Sequence, residues 1–352
     1  MNWETKLQDW CNSTGASHAG ATPLTTPKTW PHYESWLKAG HHGSLSYLEN
    51  HAPAKKDPQS WIPKAKSALV FAFPYQPHPE GPSPFSKARV ALYAQGRDYH
   101  HWIKERLQSV IQELQVAFPE HFFETQTDSS PLLERDLAER AGLGWFGKNT
   151  CLIHPQKGSL FLIAEIVTSL QIESSVAPLP DFCGTCQRCL DVCPTQALRE
   201  PRVLKADLCI SYWTIESREV APEHLRSRFG DWLFGCDLCQ TVCPWNQKVF
   251  KGQGLRVEPQ LPLSSHERQA LIEELRPLLV ESHNQIQRRL RGTALARAGA
   301  KGLKRNALVV IGNQKLGELR AEVESLRQDP YFAQLADWSL QKLELLTRPK
   351  VI

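Results

Sequence analysis

Long apolar runs are scarce in this chain. The longest, Ala68–Phe73, is far shorter than the ~20 residues a helix needs to span a bilayer. A helical membrane anchor is therefore not expected. The opening MNWETKLQDW carries charges and no apolar core, so it does not read as a secretory signal. A cytoplasmic protein with reduced thiols is the expectation. Acidic residues are scarce in one stretch. From His283 to Arg320 the chain carries Arg288, Arg289, Arg291, Arg297, Lys301, Lys304, Arg305, Lys315 and Arg320, opposed by Glu318 alone. The net charge is only +4, so the basic field is local. It suits a polyanion, although a solvated helical face has the same composition.

A nucleotide loop is missing by a narrow margin. Gly142, Gly144 and Gly147 satisfy G-x-G-x-x-G, and Lys148 follows, but Asn149 stands where a phosphate-binding loop needs Ser or Thr. Such a motif must leave a strand and open a helix. Here a helical pattern precedes it, and Trp145 and Phe146 are bulky where backbone must approach a phosphate. The glycines are expected to stop a helix and turn the chain.

Cysteine is abundant and ordered. Cys183, Cys186, Cys189 and Cys193, with Pro194, give C-x2-C-x2-C-x3-C-P; a second block holds Cys209, Cys236, Cys239 and Cys243, with Pro244. The first is the bacterial iron–sulfur run, in which the fourth cysteine ligates the other cluster. On that pattern Cys183, Cys186 and Cys189 take Cys243, and Cys193 joins Cys209, Cys236 and Cys239. Two 4Fe–4S clusters need eight thiolates, and eight are present. Zinc sites take four ligands per metal and rarely run three cysteines at this spacing; disulfides need an oxidising compartment. Cys11 and Cys151 are left as small buried residues.

The expected fold is α+β and multidomain. Residues 1–175 mix signals. Ser67–Pro74 and Leu160–Val167 read as buried strands, and His101–Phe118 and Leu132–Ala141 read as amphipathic helices. Residues 176–250 form a bacterial-ferredoxin-like module for two clusters. Residues 251–352 read as successive short helices, a helical-repeat (HEAT-like) tail. Its stripes are Leu271, Leu275, Leu278 and Leu279, then Leu303, Ala307, Leu308 and Ile311, with a C-cap expected at Gly312–Asn313, then Leu335, Trp338, Leu340 and Leu343.

Several segments together carry a resemblance. They are Thr127–Arg135 (TDSSPLLER), Ala138–Asn149 (AERAGLGWFGKN), Gly96–His100, Cys209–Glu216, Phe234–Gln240, Cys243–Asn246, Arg305–Leu308 and Ile311–Asn313. Several of them occur in the family's order, and together, from His42–Gly43 into the tail, they resemble the epoxyqueuosine reductases. Lys55 departs from the family's usual arginine, and Trp213 is a second departure. The resemblance implies a cobalamin-dependent oxidoreductase that removes the epoxide oxygen of epoxyqueuosine at the wobble position of tRNA. Two clusters would feed the corrinoid from an electron donor the sequence does not identify, and the chain would act as a monomer. It implies that 1–175 binds cobalamin and catalyses, and that 251–352 binds tRNA through its anticodon stem-loop.

The resemblance assigns the proton-donating acid to Asp128, with a pKa expected to be raised by burial beside the corrin. A helix N-cap is the competing reading of Asp128. Lys55, Arg97, Tyr99, His100, Asp128, Lys148, Asn149 and Ser211 are the candidate cobalamin contacts. Arg135, Arg288, Arg289, Lys304 and Arg305 are the candidate tRNA contacts. The corrinoid motif D-x-H-x-x-G is absent, because Ile103 replaces the glycine after Asp98 and His100; a histidine lower ligand from that motif is not expected. Two rival functions remain open on sequence: a corrinoid reductase of a small molecule, of the reductive-dehalogenase kind, and a pure electron carrier.

Overall fold

Ser67–Pro74 alternates between two apolar faces, which demands cover on both sides. The computed structural model, which describes residues 2–75, 83–174, 176–252 and 263–344, provides it. Leu69, Phe71 and Phe73 pack with Ile103, Leu107 and Leu114 of the helix Tyr99–Ala117. Ala68, Val70 and Ala72 pack with Leu137, Ala138 and Ala141, on and just after the helix Glu134–Arg140. Between these layers lies a four-stranded sheet in the order His18–Pro23, Ser67–Pro74, Phe161–Thr168, Phe123–Gln126. Every neighbouring pair is antiparallel, a choice the apolar patterns left open. The register sets Glu165 opposite both Val70 and Gln126. It therefore faces the layer containing Glu134–Arg140.

The cysteine blocks fold as loops closed by one-turn helices, Arg188–Asp191 and Leu238–Thr241. The chain between them is not a free insertion. Trp232–Phe234 pairs in parallel with Arg89–Val90, which stitches the cysteine module to the N-terminal part. A single hydrophobic core runs from Phe71 through Ile215 and Phe234 to Leu275 and Leu303, so all three sequence regions share it. The expected boundary at 175 falls on a residue outside the described ones.

The tail is helical as expected, and every residue of the three stripes is buried. Its central helix, Gly299–Gln314, packs against Ser265–Val280, His283–Leu290 and Ala333–Glu344. Gly312–Asn313 is not its C-cap. The helix continues to Gln314 and ends on Lys315 in the left-handed region, φ 53°. Gly312 is small for a packing reason: a Cβ there would stand 2.7 Å from the Trp338 ring. Asn313 instead donates to the carbonyls of Arg226 (2.9 Å) and Gly230 (2.8 Å).

Candidate active site

The hairpin Trp145–Phe146/Leu152–Ile153 gives the glycine-rich segment a task. Gly142 stops the preceding helix with φ +78°, and a Cβ on Gly144 would stand 2.5 Å from the Ile153 carbonyl. The hairpin's loop then braces both cysteine loops. Lys148 Nζ donates to the carbonyls of Gly184 (2.6 Å) and Cys186 (3.0 Å), and Asn149 Nδ2 donates to that of Cys239 (3.1 Å). Beside it a cavity of about 140 Å³ is lined by Cys183, Cys186, Cys189 and Cys243. The structure thus gathers three thiols of the first block with the last of the second. Trp145 Nε1 lies 3.5 Å from Cys183 Sγ, and Trp145 packs edge to face against Phe182 and Trp245, which tilt against each other.

The other four thiols are neighbours as well. Burial raises Cys236, and the adjacent Cys209, Asp237 and Cys193 raise it further. Cys239 is raised well above a free thiol by burial, then by Cys151, Cys236 and Cys209. Ser211 hydrogen-bonds to Cys209, and the Ala197 amide donates to Cys193 Sγ (3.3 Å). Thiols gathered in this way release protons when they take up metal. Two four-thiol sets, each drawn from both blocks, suit two cubane clusters. Cys151 stands beside the second set, whereas Cys11 is buried in the N-terminal helix.

Asp128 is not a helix cap. The helix begins at Glu134, and its N-cap position, Leu133, makes no side-chain cap. Asp128 has φ 54°, a conformation that Asp tolerates better than most residues. Tyr99 Oη donates to its Oδ2 at 2.8 Å, and His100 Nε2 approaches the same oxygen at 3.3 Å. Asp98 holds the other His100 nitrogen at 2.7 Å and caps the helix that carries both residues. The Asp128 side chain stands in a crowded polar setting, yet it remains 61% exposed.

The chain's own residues pull the Asp128 pKa down. Burial pushes its carboxyl up, but the hydrogen bonds from His100 and Tyr99 and the His100 charge outweigh that and hold it below the ordinary value. The proton sits on His100, pushed up to about 9 by hydrogen bonds to Asp128 and Asp98. Behind Asp128 lie two carboxyls that the sequence reading did not single out. Glu134 accepts a hydrogen bond from the Asp128 amide, and burial and then the Asp128 charge push its pKa up to about 7. Glu165 is 0% exposed, and neither of its oxygens has a hydrogen-bond partner. Its signal was available: it is the lone charge in the apolar run LFLIAEIV.

The remaining candidates divide. Lys55 is 8% exposed, donates to the Leu132 carbonyl (3.1 Å) and lies within the fields of Glu134 and Asp128. Arg135 is exposed and donates to the Thr150 carbonyl (2.9 Å). Arg97 is exposed and bound to Glu105. The polar groups of Lys148, Asn149 and Ser211 serve the cysteine loops.

Among the tail residues, Arg305 is corrected outright. It is 3% exposed, and its guanidinium donates to the carbonyls of Ser217 (2.6 Å), Glu219 (2.8 Å) and Trp213. It is an internal tie, not a phosphate contact. Lys304 donates to the Leu279 carbonyl (2.9 Å). Arg288 is exposed, and Arg289, also exposed, pairs with Glu281. Arg297, named only as part of the basic stretch, pairs with Glu216 and acts on Asp128. The Asp98 amide donates to the Gly292 carbonyl (2.8 Å), which sets this basic segment beside the acid.

Comparison with known proteins agrees with this geometry. Residues 182–246 match the family model described as a 4Fe–4S double cluster binding domain. Residues 55–129, which end just past the acid, match the one described as epoxyqueuosine reductase QueG, DUF1730. The epoxyqueuosine reductase of Cyclobacterium marinum is 36% identical over 278 residues, covering 78% of this chain and 86% of that protein. The one from Pseudomonas aeruginosa is 35% identical over 312 residues, covering 87% and 84%. A crystal structure of epoxyqueuosine reductase with an epoxyqueuosine-modified tRNA-Tyr stem loop superposes with TM-score 0.80 at 28% identity, over 97% of this chain and 90% of that one. The Bacillus subtilis enzyme, with its catalytic aspartate loop swung out of the active site, gives TM-score 0.79 at 28% identity, over 99% and 95%. By sequence and by fold, the chain belongs to the epoxyqueuosine reductase family.

Proposed function

We propose that this protein reduces epoxyqueuosine to queuosine at the wobble position of tRNA, using electrons carried by two 4Fe–4S clusters to cobalamin. The observation that carries the reading is Asp128. It is a solvent-facing carboxylate gripped by Tyr99 and a protonated His100, in a chain whose two cysteine blocks close on each other. The reaction takes an epoxide, two electrons and two protons to an alkene and water. Its difficult feature is the departing oxygen, a poor leaving group until protonated. Bound cobalamin would supply the strongly reducing cobalt that the epoxide needs.

The chain's own residues supply the rest. Tyr99 and His100 fix the Asp128 carboxylate. A substrate that displaces water from Asp128 disfavours the charged pair, so the proton moves from His100 to Asp128 and on to the oxygen. Tyr99, His100, Asp128 and Lys55 are the residues that would hold the corrin here. Both His100 nitrogens are engaged, by Asp98 and Asp128, so this histidine is committed to the acid. Cys183, Cys186, Cys189 and Cys243 would hold one cluster, and Cys193, Cys209, Cys236 and Cys239 the other.

The wobble base must leave the anticodon stack to reach the acid, and loop bases splay readily. Arg135, Arg288, Arg289, Arg291 and Arg297 are the cations that would meet the phosphates, and the helical tail is the scaffold that presents them. No helix among the described residues is long and apolar enough to cross a membrane. The family membership favours this reading over a small-molecule reductase, and over a pure carrier, which would give Asp128 nothing to do. The test is conversion of epoxyqueuosine-containing tRNA by reconstituted protein with a one-electron donor, read as queuosine by mass spectrometry of the digested tRNA. Cobalamin-dependent product is expected. Product formed equally well without cobalamin, or none with it, overturns the proposal.

A further inference from the structure

One face of the cysteine module has no task in the reaction at Asp128. Phe182, next to Cys183, is 45% exposed. Its ring centre lies 5.1 Å from that of Trp145 and 5.9 Å from that of Trp245. Trp145 is buried and reaches Cys183 Sγ at 3.5 Å. An aromatic layer therefore runs from solvent to the first four-thiol set. Phe182 and Trp245 line the cavity of that set, and the charged residues that line it with them, Lys148 and Arg188, are both cations. Arg188 is exposed and has no ion pair among the described residues. Lys248, also exposed, holds its Nζ 4.2 Å from the centre of the Trp245 ring. Asp181, the acid beside Phe182, is neutralised by Arg202. The result is an aromatic centre with a cationic rim, a composition that suits a protein partner of opposite charge.

The contacts of the second thiol set lead the other way, toward the acid. Asp237, next to Cys236, accepts from the Leu92 amide at 2.7 Å. The following residue, Tyr93, packs against Tyr99 with ring centres 6.0 Å apart, and Tyr99 donates to Asp128. The second set thus adjoins the acid, and the first set adjoins the exposed aromatic patch. Electrons bound for the acid side enter at the patch. We propose that Phe182, Trp245, Arg188 and Lys248 form the docking surface for a small acidic one-electron carrier protein, of the ferredoxin kind, that feeds the first four-thiol site. At each encounter one electron leaves the carrier and one enters the cluster held there, so two encounters serve one epoxide. No proton moves at this face. The exposed cations steer the carrier in and are screened by salt. A small patch also lets a spent carrier leave, as brief redox encounters require.

The inference rests on the reading that both cysteine sets hold clusters, and its first readout needs neither cobalamin nor tRNA. Full-length, cluster-loaded protein is titrated calorimetrically with an oxidised, acidic 2Fe–2S ferredoxin across a salt series. Wild-type binding should weaken as salt rises. Arg188→Glu with Lys248→Glu should raise Kd by about tenfold at low salt. Phe182→Ala should raise it by about tenfold at every salt concentration. Iron content should stay at the wild-type level. Reduction of the clusters by ferredoxin should slow in step with binding, while reduction by dithionite keeps its wild-type rate. The basic tail supplies the cross-check. Arg288→Glu with Arg291→Glu should leave ferredoxin binding unchanged, and the Arg188 and Lys248 reversals should leave tRNA binding unchanged. Lys248 lies in the helix Pro244–Gly252, beyond the last cysteine, so Lys248→Glu alone keeps the test valid if changes beside Cys183 or Cys189 cost iron. Ferredoxin binding that the patch variants do not alter overturns the proposal. So does tRNA binding weakened by those variants, or self-association through Phe182 in place of ferredoxin binding. Wild-type protein that takes up no iron overturns the cluster reading itself, and the proposal with it.

Discussion

At the first cysteine cavity, four thiols from two separate blocks meet around one space, and each stands at a spacing that geometry prescribes. At Asp128, three carboxyls come from a loop, a helix start and a mid-strand position, and no spacing relates them. A cubane must be held by short loops, so its ligands recur at intervals readable along the chain. A proton site needs only burial, partners and order. Those are properties of the folded layers, so a sequence shows its surface member and hides the acids behind it.

One way to break the comparison is at its cysteine end, where the largest effect is expected. Cys243→Ser should strip the cluster held by the first block, although the residue lies in the second. Iron should fall from about eight to about four per chain, and turnover should vanish. Loss of the other cluster instead, read from the spectra of single-block variants, would break the reciprocal assignment.

The tail sharpens the same contrast between structural and exposed chemistry. Arg305→Ala leaves the Trp213, Ser217 and Glu219 carbonyls unpaired in the interior and should cost about 3 kcal/mol of stability, measured by chemical denaturation. Arg288→Glu and Arg291→Glu should leave stability unchanged. They should weaken tRNA binding and flatten its salt dependence by a slope of roughly 0.7 to 0.9 per lost contact. Equal destabilisation by all three would mean that the exposed arginines are structural too.

What was legible followed from patterns with one physical solution. Ser67–Pro74 was bounded correctly because eight residues ending in proline, apolar on both faces, have little choice but a central strand. The helix at Glu134 was placed to within two residues. Arg305 was misread because an arginine in a basic stretch looks the same whether it faces water or three carbonyls. Gly312 was misread because a glycine that ends a helix and one that admits a tryptophan ring share a letter. That Tyr99 and His100 partner Asp128 was not legible, because they lie a whole helix away in the chain.

The smallest expected effect concerns His100. Its folded pKa lies above the free value of 6.5, at about 9, so its contribution to stability is full below 6.5 and fades as pH rises through about 9. Asp128 is held below its free value of 3.8, so its contribution is present above 3.8 and fades as pH falls. The stability gap between wild type and His100→Gln should therefore be widest between those two free values and close above pH 9. Because both side chains are partly exposed, at most about 1 kcal/mol is expected. A gap that widens with pH would contradict the pairing.

The most direct measurement is made on Asp128→Asn, which keeps the shape of the side chain and removes its proton. Iron content and tRNA binding should match the wild type, while queuosine formation should fall by about 100- to 10,000-fold. Near-normal queuosine formation by that variant, with both clusters in place, would contradict the account.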